Sequence, residues 1–78
     1  MKAIENVYYL EGLSFTVKHS LFGTVYTLQV GFNTKYNQLN VVLFQDGVCN
    51  TIPSLYNNME LCMQAFNQKK ESLIRMCN

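Results

Sequence analysis

The spacing of apolar residues changes once along this chain, and that change does most to limit its fold. Before Pro53 they recur at every second position; after it they recur at helical spacing. Leu13, Phe15, Val17, His19 and Leu21 alternate with Ser14, Thr16, Lys18 and Ser20, the pattern of a strand with one wet face. Gly23 supplies a turn, and residues 24–33 resume the alternation. Tyr26, Leu28, Val30 and Phe32 fall on one side, Val25, Thr27, Gln29 and Gly31 on the other. Residues 33–38 are polar and turn-forming, and residues 39–45 make a further strand. Asp46-Gly47 comes directly after, and both residues tolerate the positive φ of a type I′ hairpin turn. Residues 48–52 supply its return strand.

The start of the chain allows two readings. Val7-Tyr8-Tyr9-Leu10 is β-prone, with Glu11-Gly12 as a turn into the next strand. The same stretch could place Ile4, Val7, Tyr8 and Glu11 on a short helix ended by Gly12. The strand is the preferred reading. Beyond Pro53, Asn57 with Glu60 three residues on has the spacing of a helix-capping box, and Ser54 is an alternative cap. Met59, Cys62, Met63, Phe66, Leu73 and Cys77 form one apolar stripe; Glu60, Gln64, Asn67, Gln68 and Glu71 lie opposite. Lys69, Lys70 and Arg75 suit the negative end of the helix dipole. The expectation is therefore an α+β fold in a single domain spanning residues 1–78. It is an antiparallel β-meander of four or five strands, with one C-terminal amphipathic helix packed on one face.

Charge is scarce. Only 14% of the 78 residues are charged while 49% are hydrophobic, against about a quarter charged in an ordinary domain. A chain this short buries only roughly 60–65% of what it exposes when unfolded, so surplus apolar surface is expected to meet a partner. The run Val41-Val42-Leu43-Phe44 is apolar on both sides. One side meets the helix, and the other needs a cover, from a second copy or a target. Tyrosine offers large amphipathic contact area at low entropic cost. The interface candidates are thus Tyr9, Val25, Val42 and Phe44, and secondarily Tyr36 and Tyr56.

Chemistry finds little purchase. His19 lies on an apolar register, Glu5, Glu11, Asp46, Glu60 and Glu71 form no cation-binding cluster, and Gly12, Gly23, Gly31 and Gly47 form no phosphate cradle. Neither catalysis, a metal site nor a cofactor is expected. Cys49, Cys62 and Cys77 show no C-x-x-C pairing, and on one helix Cys62 and Cys77 would stand roughly 22 Å apart. A net charge of +1 gives no field for phosphate neutralisation, which argues against nucleic acid. No apolar run approaches the roughly 20 residues that span a bilayer, and no signal-peptide pattern opens the chain, so a cytoplasmic location is expected.

These readings converge on a small non-enzymatic protein-binding module, expected as a homodimer. In size and plainness, and in its richness in Asn, Lys, Tyr and Phe, the chain is similar to phage or mobile-element accessory proteins. That resemblance implies inhibition or sequestration of a larger host protein, in defence or regulation, by steric occupation in the host cytoplasm. The alternative is a small dimeric nucleic-acid-binding regulator that aligns Lys69, Lys70 and Arg75 into a basic ridge.

Overall fold

The computed structural model describes residues 7–49 and 54–78. Its elements are β1 (Val7–Lys18), β2 (Val25–Asn33), β3 (Gln38–Gln45), β4 (Val48–Cys49), β5 (Ser54–Tyr56) and α1 (Met59–Cys77). The strands form one antiparallel sheet in the order β1-β2-β3-β4, with β5 also paired to β3. With α1 packed on one face, the fold is α+β, as the change of period predicts.

Alternation sets the front face. Phe15, Leu28 and Leu43 lie in register across three strands, as do Val30 and Val41 across two. Onto Leu28, Val30 and Val41 the helix lowers Cys62, Phe66 and Leu73, all buried. Lys70 lies one turn beyond Phe66, and its ammonium sits 5.1 Å from the centre of the Phe15 ring. Its stem thereby shields apolar surface while the charge stays wet. Met59, which the stripe places with the core, is 41% exposed.

The opening strand reading holds from Val7 onward, but no turn separates residues 7–10 from residues 13–18; residues 4–6 lie outside the described residues. β1 runs through residues 7–18 with a large bulge, in which the five steps from Tyr9 to Ser14 oppose the two from Gly31 to Gln29. Gly12, at φ +82°, makes the bend that an L side chain resists. The loop is filled from across the sheet. The amide nitrogen of Gln29 donates to the carbonyls of Leu10 at 3.0 Å and Leu13 at 3.2 Å, and lies 3.0 Å from that of Val30. A side chain on β2 thus satisfies backbone groups that the bulge removes from the ladder.

The helix cap falls one residue later than the spacing suggests. Asn58 is the N-cap, and its Oδ1 accepts from the Leu61 N–H at 2.9 Å. Asn57 is engaged elsewhere, since its Oδ1 accepts a hydrogen bond from the Gln38 side chain. Glu60 therefore sits in the first turn, where it complements the dipole without closing a capping box. Asp46 and Gly47, at φ 51° and 83°, form the expected tight turn into β4. The return strand described there is only Val48–Cys49, and residues 50–53 lie outside the described residues. Ser54, read as a possible cap, instead opens the short strand β5.

The back face corrects one expectation. Val42 and Phe44 have no exposed area at all, so this chain itself covers the strand that was expected to stand open. Tyr9 contributes, meeting the Phe44 ring edge-on at 5.9 Å between centroids. Asn40 is equally buried, and among the described residues neither polar atom of its side-chain amide has a partner. An unpaired buried amide costs about 1–3 kcal/mol. Its room comes from Gly31, the residue opposite it.

A Cβ on Gly31 would lie 2.7 Å from Val7 Cγ1, 2.9 Å from Asn40 Oδ1 and 3.2 Å from the Tyr8 carbonyl oxygen. Gly31→Ala should therefore lose about 1–3 kcal/mol, since backbone of β1 would have to move. Urea denaturation should show the loss. Gly12→Ala, with nothing within 4 Å of its Cβ, should cost only the positive-φ penalty, about 1 kcal/mol.

Candidate functional site

The six residues singled out from the sequence do not form one surface. Val42 and Phe44 are buried, and Tyr9 is half-buried against Phe44. Val25 is half-buried, its N–H donating to the Asp46 carboxylate at 2.9 Å. Tyr56 packs into the front core beside the helix. Only Tyr36 stands well out, 54% exposed in the β2–β3 turn with the Lys35 ammonium over its ring.

Two adjacent residues are far more exposed. Leu21 (83%) and Phe22 (78%) form the tip of the β1–β2 hairpin. Alternation extended through Leu21 puts it on a strand, but β1 stops at Lys18. The signal was present in the apolar doublet Leu21-Phe22, which breaks period two immediately before Gly23.

The tip has a defined shape because its backbone is tied on several sides. The His19 N–H donates to the Thr24 carbonyl at 2.8 Å, and the Gly23 N–H to the His19 carbonyl at 3.0 Å. Gly23 adopts φ +72°, which closes the turn. The Ser20 N–H donates to the carbonyl of Cys77 at 2.9 Å, satisfying a carbonyl at the helix C-terminus and fastening the tip to α1. Inside the turn, His19 Nδ1 accepts from the Leu21 N–H at 3.1 Å and the Phe22 N–H at 3.2 Å. The imidazole also stacks on Phe22, with centroids 4.6 Å apart and planes 29° apart. With Nδ1 accepting two N–H groups, the neutral ring carries its proton on Nε2, which leaves no free ring nitrogen to act as a general base.

Elsewhere among the described residues reactive groups are few. A groove of about 520 Å³ opens between α1 and the β3–β5 edge over Leu28, Val41, Leu43 and Leu73. The hydroxyls of Ser54 and Ser72 line it, but no imidazole or carboxylate among the described residues does. Among the described residues no group of three His, Cys, Asp or Glu side chains comes together, and no helix is long and apolar enough to cross a membrane. Cys62 and Cys77 are free thiols, both buried. Burial pushes the Cys62 thiol above its ordinary range, and its Sγ points at the Asn40 carbonyl, 3.9 Å away. The chain matches no protein-family model, no curated protein and no solved structure.

Two outcomes are expected from this geometry. Leu21→Ser and Phe22→Ser should each change folding stability by no more than about 0.5 kcal/mol in urea denaturation, because neither side chain is buried. Cys62 should resist alkylation in the folded chain and react only once denaturant opens the core, since the thiolate is the reactive form and burial disfavours it. Peptide mapping after labelling reads this directly.

Proposed function

We propose that this protein is a binding module that acts by occupying a surface on a larger protein, with Leu21 and Phe22 as its anchor. The carrying observation is a pair of neighbouring, almost fully exposed apolar side chains on a turn held by its own hydrogen bonds. Burying a leucine or phenylalanine gains about 1.5–3 kcal/mol each. A pre-ordered turn forfeits little entropy when it docks, so more of that gain appears as affinity. A convex tip of two side chains suits a concave apolar pocket on the partner, the arrangement typical of binding hot spots.

The reading keeps the steric, non-catalytic mode of action expected from the sequence, including the inhibition or sequestration of a host protein that a phage accessory role implies. It moves the anchor from the back face to the hairpin tip. It also removes the original motive for a homodimer, because Val42 and Phe44 need no second copy to cover them.

Affinity capture with the intact chain, compared side by side with Leu21→Ser and Phe22→Ser, tests this. A captured protein should bind each variant at least about tenfold more weakly, the equivalent of about 1.4 kcal/mol. Capture indifferent to both substitutions would remove the tip from the interface. A salt-dependent shift of labelled DNA or RNA that ignores the tip would instead favour the nucleic-acid regulator.

A further inference from the structure

We propose that the hairpin tip is a proton-operated latch, in which His19 holds Leu21 and Phe22 in their presented geometry only while Nδ1 carries no proton. The proposal rests on the reading of the tip as the docking site, and it names the regulation of that site.

Two backbone N–H groups, from Leu21 and Phe22, converge on the single lone pair of Nδ1 at 3.1 and 3.2 Å. A neutral imidazole meets this demand only with its proton on Nε2. Adding a second proton, at Nδ1, turns the acceptor into a donor facing two other donors. Both bonds are then lost, because Nδ1–H now faces the Leu21 and Phe22 N–H groups. The remaining ties of the tip are His19 N–H to Thr24, Gly23 N–H to His19 and Ser20 N–H to Cys77. All three are backbone to backbone and do not titrate. Protonation therefore frees Leu21 and Phe22 while leaving the hairpin base closed. Histidine is the side chain suited to this, because its charge ordinarily changes between about pH 5 and about pH 8.

The same molecule contains the device in a form that cannot titrate. In the β2–β3 turn, Asn33 Oδ1 accepts from the Lys35 N–H at 2.9 Å and the Tyr36 N–H at 3.3 Å. The acceptor again serves the second and third residues after it, and the third is again an exposed aromatic, Tyr36 in place of Phe22. An amide oxygen keeps its lone pairs at any physiological pH. The tip differs from this turn in using an acceptor that a proton can switch off.

The charged and titratable groups on the elements meeting the tip are few. Lys18 ends β1, with its Cε beside Gly23. Asp46 is bonded to the Val25 N–H at the start of β2. Arg75 and the buried Cys77 thiol lie in the last turn of α1. Among the described residues, none of these bonds to the imidazole. By linkage, a partner that grips the latched tip must bind less tightly as His19 takes up its proton, and must resist that uptake when bound.

The test is an amide and imidazole NMR titration of the whole chain from about pH 8 to about pH 5. The Leu21 and Phe22 amides should shift with the same midpoint as the His19 ring, and their exchange protection should fall on the order of tenfold. The Lys35 and Tyr36 amides should stay in place. In His19→Asn, whose side-chain oxygen can accept as that of Asn33 does, the two tip amides should remain bonded and cease to titrate. Tip amides that ignore ring protonation overturn the latch, as does a titration that survives in His19→Asn. No partner enters this measurement. A successful titration beside capture that ignores Phe22→Ser would sink the docking role and leave the latch; the converse result would do the opposite.

Discussion

Everything in this fold leans on the β2–β3 pair, the part of the sheet that is closed off on both sides. On the front, Leu28, Val30 and Val41 meet Cys62, Phe66 and Leu73 of the helix. On the back, Gly31, Asn40, Val42 and Phe44 are buried in the same chain. A domain this small seldom encloses a strand twice over, because its surface-to-volume ratio leaves few residues to spare. The compromise shows at Asn40, a polar side chain enclosed without a hydrogen-bond partner among the described residues, and at Gly31, where no side chain larger than hydrogen fits.

Most of the architecture is legible in the sequence because it arises from local periodicity. The alternation of residues 13–17, 26–32 and 39–44 places β2, β3 and the second half of β1, with their faces, but not β5. Asp46-Gly47 fixes one hairpin, and the apolar stripe from Cys62 to Cys77 fixes the helix. What escapes is set by side chains reaching across the sheet. The bulge in β1 depends on the Gln29 amide reaching the Leu10 and Leu13 carbonyls. The one-residue shift of the helix cap depends on Gln38 claiming Asn57. Neither partner is visible to a window that slides along the chain.

The candidate site is less legible for a different reason. Composition correctly signals surplus apolar area but cannot say where it emerges. The sequence points to the doubly apolar strand, yet the chain folds so that this strand is its most enclosed part. The surplus appears instead where the alternation fails, at Leu21 and Phe22. A tip formed by breaking a pattern looks, in the sequence, like the ragged end of a strand. Its definition comes from His19 and from the carbonyl of Cys77, at the far end of the chain.

The order of the strands also bears on how the chain comes together. β1, β2, β3 and β4 each lie beside their sequence neighbour, so the meander closes short loops and can assemble quickly. The helix that roofs its front face follows all five strands in the sequence. Until residues 59–77 dock, a sheet that has already paired leaves Leu28, Val30 and Val41 bare. With so few charges to keep nascent copies apart, this interval is the chain's main exposure to misassembly. The arrival of Phe66 and Leu73 ends it.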